Sequence, residues 1–110
     1  MGLTKTENFT TDQNQLATLA KALGHPARIA IIQHLLKINS CICGDLVDEI
    51  SLAQPTISKH LKELKAIGII KGTIEGTSVN YCIDAYRWRE VQSLFNDLFD
   101  TYVLDQACEC

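Results

Sequence analysis

Residues 54–64 read QPTISKHLKEL, and the fold of the whole chain turns on how this stretch is interpreted. Ile57, Leu61 and Leu64 recur at three- and four-residue spacing, so a helix here carries one apolar face. Gln54, Thr56, Ser58, Lys59 and Lys62 leave the opposite face polar and cationic. Pro55 suits a first helical turn, where a missing N–H is no loss. Glutamine, serine, threonine and lysine are side chains that bond base edges and phosphates, so the stretch reads as a DNA recognition helix.

The flanking residues extend that reading. Upstream, residues 45–50 (DLVDEI) form a short amphipathic pattern with Leu46, Val47 and Ile50 inward, followed by a brief link at 51–53. A short helix, a tight turn and a polar second helix make a helix-turn-helix, whose second member enters the major groove. Downstream, Ile70, Gly72 and Ile74 precede the turn EGTS at 75–78, and Val79, Tyr81 and Ile83 alternate after it. That is the pattern of a β-hairpin, the wing of a winged helix. Any one piece is compatible with ordinary packing, but the ordered set points to DNA.

The remaining segments supply a core and a surplus apolar face. Residues 1–11 are polar and read as a flexible arm. A helix is expected over 12–23 with Leu16, Leu19, Ala20 and Leu23 on one face, stopped by Gly24. Pro26 opens the next helix, which Ile29, Ile31, Ile32, Leu35 and Leu36 make nearly apolar all round, a central core helix. The final helix, 85 to about 104, carries Trp88, Val91, Phe95, Leu98 and Tyr102, broadened by Leu94, Phe99 and Val103. Such a small domain has few elements left to cover that stripe, so a two-fold dimer through the terminal helices is expected. The expected fold is mostly α with a small β-hairpin, an α+β winged helix-turn-helix. It divides into an arm at 1–11, a DNA-binding and dimerisation domain at 12–104 and a cysteine-containing tail at 105–110.

Composition sets limits on partners. The net charge is −3 and the pI about 5.5, an unpromising average for a DNA-binding chain. Within 54–71, however, Lys59, Lys62, Lys65 and Lys71 face only Glu63, whereas 84–110 is acidic. No apolar run is long enough to span a bilayer and no export signal is evident, so a soluble, cytoplasmic protein with no membrane partner is expected. No Ser/His/Asp arrangement, glycine-rich phosphate loop or paired acids stand in a credible context, which argues against an enzyme.

Taken together, LAKALGHPARIAIIQHLL at 19–36, CICGDL at 41–46, LAQPTISKHLKELKAIGII at 52–70 and GTSVNYCID at 76–84 resemble the ArsR/SmtB family of winged-helix repressors. The resemblance covers nearly all of the chain. It implies a homodimer that represses an operon and leaves its double-stranded operator DNA when an inducer binds, with no cofactor required for DNA binding. It also implies that Gln54, Thr56, Ser58 and Lys59 contact bases and phosphates, with Lys62 on the same face and the hairpin tip around Gly76 near the minor groove or backbone. Arsenical sensors of the family carry Cys-x-Cys leading into Asp-Leu. Here Gly44 is inserted between Cys43 and Asp45, and Val47 stands where some members have a third cysteine. The family's second metal site, on the last helix, needs a histidine where this chain has Tyr86, which disfavours a zinc, cobalt or nickel sensor there.

Five cysteines without an export signal read as reduced thiols, not a disulfide framework. On a regular helix, residues i and i+2 point about 200° apart, so Cys41 and Cys43 can share an ion only in a non-helical segment, which Gly44 favours. A tail ending Cys108-Glu109-Cys110 would expose oxidisable thiols unless it folds back on Cys41 and Cys43 of its own or the partner subunit. The expected metal(loid) site draws three or four ligands from Cys41, Cys43, Cys108 and Cys110. Trivalent arsenic or antimony is the leading inducer, with cadmium, lead and copper(I) as other soft ions such a set would take. Cys82, beside Tyr81 among apolar neighbours, reads as packing. His25 and His34 lack a second ligand at useful spacing and read as capping or structural residues, while His60 supports packing or reaches a phosphate. The competing readings are a thiol redox or persulfide-responsive repressor of the same fold, a small thiol oxidoreductase, and a protein-only interaction module. The oxidoreductase lacks any thioredoxin-like strand–helix pattern.

Overall fold

The computed structural model describes residues 6–43, 53–73 and 80–102. A 3₁₀ turn at Thr6–Asn8 leads into α1 (Thr11–Leu23), followed by α2 (Pro26–Ile38), β1 (Ile42–Cys43), α3 (Gln54–Ala66), β2 (Ile70–Thr73), β3 (Asn80–Ile83) and α4 (Ala85–Asp100). The expected helix at 45–50, residues 51–52 of its link, the hairpin turn with Gly76, and the tail with Cys108 and Cys110 lie outside the described residues.

The helix starts are written into the sequence as caps. Thr10 Oγ1 accepts the Gln13 amide at 3.0 Å while Gln13 Oε1 accepts the Thr10 amide at 2.9 Å, a reciprocal capping box that starts α1 at Thr11. The last part of the expected arm is therefore built into the helix start. His25 caps α2, its Nδ1 accepting the Ala27 amide at 3.0 Å, and Pro26 follows in the first turn. Asp84 caps α4 by accepting the Arg87 amide at 3.1 Å. α2 ends on Asn39, which takes the left-handed conformation at φ 51°.

α3 buries the face expected of it: Ile57, Leu61 and Leu64 pack with Leu19, Ile31, Ile32, Leu35, Ile69, Ile70, Tyr81 and Val91 in a single core. Two helices differ from expectation. On α1 it is Ala22, not Ala20, that is buried. α2 is not surrounded by core, because Ile29 and Leu36 are 40% and 48% exposed while Ile31, Ile32 and Leu35 are buried. Too few elements surround α2 in one chain to cover its whole circumference. α4 stops at Asp100, short of the expected 104, and its second half leaves Leu98, Phe99 and Tyr102 exposed.

The hairpin pairs Ile70 with Ile83, Lys71 with Cys82, Gly72 with Tyr81 and Thr73 with Asn80. A third strand, which the sequence pattern does not announce, completes the sheet. β1 joins the far side of β3, pairing Ile42 with Tyr81 and Cys43 with Asn80, so the sheet order is β1-β3-β2. Residues 42–43 are thus extended, which meets the geometric condition set for the Cys41–Cys43 segment.

Gly72 fixes how closely β2 and β3 approach. It sits at φ 125°, and a Cβ there would overlap the Asn80 carbonyl oxygen. Both effects oppose any side chain. Gly72→Ala is expected to lower unfolding stability by at least about 1–2 kcal/mol from backbone strain alone, read as a lower urea midpoint with an unchanged slope.

Candidate functional site

The polar face of α3 stands opposite its buried face. Thr56, Lys59 and Lys62 are exposed and Ser58 is half-buried, while Gln54 and the exposed Pro55 form the first turn. Thr56 and Lys59 lie three apart and Lys59 and Lys62 three apart again, so they form one ridge along the helix. A ridge of this kind, on a helix about 20 Å long by its 13 residues, has the dimensions and donors of a major-groove reader.

Three cationic side chains fasten this helix rather than face outward freely. Lys65 Nζ donates to the Gly72 carbonyl at 2.6 Å, joining the end of α3 to β2. Arg87 Nε donates to the Ile67 carbonyl at 2.9 Å, joining it to α4. Arg28 Nε donates to His60 Nδ1 at 3.1 Å and its Nη1 to the Ala22 carbonyl at 2.9 Å, joining α3 to α2 and α1. His60 is buried and its ring lies 4.3 Å from that of His25. Of its two readings, packing is the one realised; a buried ring whose Nδ1 accepts from Arg28 does not reach phosphate.

The second notable grouping involves thiols. Cys41, exposed, and Cys82, half-buried, line the same cleft, and the β1–β3 pairing brings them level across the two strands. The neighbouring Cys41 side chain first, and then burial, push the Cys82 thiol above its ordinary range, with Lys71 opposing. The pair borders a cleft of about 410 Å³ between α2, the sheet and the start of α4, with Leu35 and Trp88 as apolar lining and Lys71 and Arg89 as cations. Reading Cys82 as simple packing misses this neighbour, which lies 41 positions away in sequence (82 − 41) and is brought in by β1. Cys43 lies on β1 opposite Asn80. Among the described residues, no group of three or more His, Cys, Asp or Glu side chains is placed to hold a metal ion.

A profile described as "Bacterial regulatory protein, arsR family" matches residues 25–71, from the cap of α2 to the start of β2. The chain is 41% identical over 83 residues to an uncharacterized HTH-type transcriptional regulator of Methanocaldococcus jannaschii, covering 74% of this chain and 92% of that one. The chain belongs to the ArsR family. It is also 43% identical over 63 residues to the HTH-type transcriptional repressor SmtB of Mycobacterium tuberculosis, covering 57% of this chain and 46% of that protein. Two solved structures share the fold: an ArsR-like transcriptional regulator from Rhodococcus, with a TM-score of 0.64 at 18% identity over 84% of this chain and 86% of that one, and NolR from Sinorhizobium fredii, with a TM-score of 0.60 at 19% identity over 93% and 96%. The two sequence relatives are HTH-type transcriptional regulators by name, and α3 lies within the span that the arsR-family profile matches. Among the described residues no helix is long and apolar enough to cross a membrane.

His60 gives the fastening of α3 a pH dependence. Its pKa is held below the ordinary 6.5, by burial first and then by the nearby His25, Arg28 and Lys59, with Glu63 opposing. Between the folded value and 6.5 the unfolded chain binds more protons than the folded one, so the stability His60 confers is complete above pH 6.5 and is lost as pH falls through the folded value. Thermal midpoints at pH 7.5 and 5.5 are expected to differ more for the wild type than for His60→Gln, which cannot titrate.

Proposed function

We propose that this chain is a homodimeric repressor that holds operator DNA through α3 and the wing and releases it when a thiophilic metal(loid), foremost trivalent arsenic or antimony, binds its cysteine thiolates. The observation that carries the DNA half is the division of α3 itself: complete burial of Ile57 and Leu64 on one side, with Thr56, Lys59 and Lys62 exposed on the other. Gln54, Ser58 and the hairpin tip at Gly76 complete the proposed contact set. The printed name of the tuberculosis relative, a transcriptional repressor, supports repression as the direction of control.

The dimer is supported by the exposed half of α4. Leu98, Phe99 and Tyr102 are 54%, 67% and 67% exposed, and Phe95 and Phe99 stack at 6.4 Å along the same helix. A second copy would cover these rings and set two α3 helices for a palindromic operator.

The inducer half rests on the thiols. Cys41 and Cys43 stand at and in β1, next to the segment leading into α3, and Cys108 and Cys110 are the proposed further ligands. A proposed set made of soft thiolates suits arsenic(III) and antimony(III), and then cadmium, lead or copper(I), in preference to harder ions.

Two experiments test the reading. Lys59→Ala with Lys62→Ala is expected to weaken binding to operator and unrelated duplex alike and to reduce the slope of log affinity against log salt by about one for each phosphate no longer neutralised; an unchanged slope means the helix is not the reader. Anaerobic titration of the reduced dimer with arsenite, followed by thiol counting and by fluorescence anisotropy on DNA from its own promoter, is expected to remove three free thiols per site and release the DNA together. A Cys108→Ser, Cys110→Ser variant that keeps full response and stoichiometry excludes the tail as a ligand source.

A further inference from the structure

Cys82 belongs to none of the ligand sets drawn from the sequence, yet β3 carries it directly beside Cys41. The β1–β3 register pairs Ile42 with Tyr81, and one residue further along both strands antiparallel pairing brings Cys41 level with Cys82. Tyr81 is fully buried in the core, so strand alternation turns Cys82 to the other face of the sheet, where the cleft lies. Both cysteines line that cleft, so the register and the cleft together place the two thiols on one face of neighbouring strands.

We propose that Cys41 and Cys82 form a cross-strand dithiolate site for a trivalent arsenical, with Cys82 a direct ligand of the inducer. The proposal rests on the metal(loid)-responsive reading above and names a ligand that reading does not include. With arsenous acid, each thiol replaces one hydroxide: two As–S bonds form, two As–O and two S–H bonds break, and two waters leave. Arsenic stays trivalent and no electrons are transferred. A third thiol then replaces the last hydroxide in the same way, and Cys43 and the tail are its sources.

Chain length favours Cys82 over Cys108 of the same subunit as the second ligand. The cleft lies at the start of α4, lined by Ala85, Trp88 and Arg89. α4 has 16 residues, about 24 Å of helix, and Cys108 is eight positions past its last residue (108 − 100), at most about 28 Å of chain. Cys108 therefore returns to the cleft of its own subunit only if those residues are almost fully extended, whereas Cys110, ten positions past α4 (110 − 100), spans the same distance with some slack. Cys82 is in place without any rearrangement of the sheet.

The test uses the full chain under anaerobic, reducing conditions, with phenylarsine oxide, which takes two thiols, and arsenite as probes. In a Cys43→Ser, Cys108→Ser, Cys110→Ser background, one equivalent of phenylarsine oxide is expected to protect both remaining thiols from alkylation, and adding Cys82→Ser should abolish stoichiometric capture. In the otherwise wild-type chain, Cys82→Ser or Cys82→Ala should raise the arsenite concentration needed for half-release from DNA at least tenfold. The circular dichroism melt and arsenite-free operator affinity of each variant establish that it folds. Wild type that releases DNA with arsenite while both Cys82 variants titrate identically overturns the proposal and leaves the repressor reading standing. Capture of both thiols by phenylarsine oxide with no release of DNA by arsenite supports the site and overturns the inducer reading instead. Release by peroxide in chelator-treated protein, with no capture of the pair by phenylarsine oxide, assigns the thiols to disulfide chemistry and overturns the proposal.

Discussion

Everything in this fold depends on holding α3 by one face only. A 13-residue helix is marginal on its own in water, and this one starts at Ala53 without a side-chain cap. Its order comes from burial of Ile57, Leu61 and Leu64, each contributing about 1.5–3 kcal/mol by removal from water. Because those three residues occupy a single stripe, the other side is left to solvent. The burial that stabilises the helix is therefore what presents Thr56, Lys59 and Lys62.

The positive charge of the region is divided in the same way. Counted along the sequence, residues 54–71 contain four lysines, but they do not act alike. Lys65 is committed to the Gly72 carbonyl and ties the end of α3 to the wing. Arg28 and Arg87 do the same from α2 and α4, each with a short hydrogen bond to a group on or just beyond α3. Hydrogen bonds with a charged donor are stronger than neutral ones, so these contacts set the angle of the helix. Lys65 is thereby withdrawn from the exposed ridge of α3, which makes sequence charge an overestimate of the charge that ridge offers.

Much of this is legible in the sequence. The α3 stripe is clear because a helical period of 3.6 leaves a strong signature in Ile57, Leu61 and Leu64. The hairpin is clear because Tyr81 and Ile83 alternate after a glycine-containing turn, and the observed Ile70–Ile83 pairing follows. β1 is not legible, since a strand of two residues, Ile42 and Cys43, has no period to detect. Its pairing with β3 is a long-range event, and so is the Cys41–Cys82 contact that depends on it. The exposure of Ile29 and Leu36 escapes the sequence for a related reason: hydrophobicity states what a residue prefers, but the number of neighbours in one small chain decides how much of α2 is covered. Gly72 can be seen as a strand glycine, but only the close approach of its backbone to Asn80 explains why no other residue fits.

The register of β3 also bears on how a signal at the thiols would travel. Along this one strand, Tyr81 anchors in the core, Cys82 faces the cleft, and Asn80 sits at the end that leads into the wing turn. Gly72 lets β2 lie close against Asn80 and Tyr81, and β2 pairs with β3 over four positions. β1, in contrast, is a two-residue strand that runs on toward α3. At the proposed site, an ion bridging Cys41 and Cys82 would fix the spacing between a strand anchored by Tyr81 and a strand of only two residues, so the displacement would fall on β1. Allosteric coupling of about 1–3 kcal/mol is typical of such regulators, and it is comparable with the few interactions a two-residue strand makes. β1 is thus the member of the sheet that two sulfur–arsenic bonds at the proposed site would shift most readily.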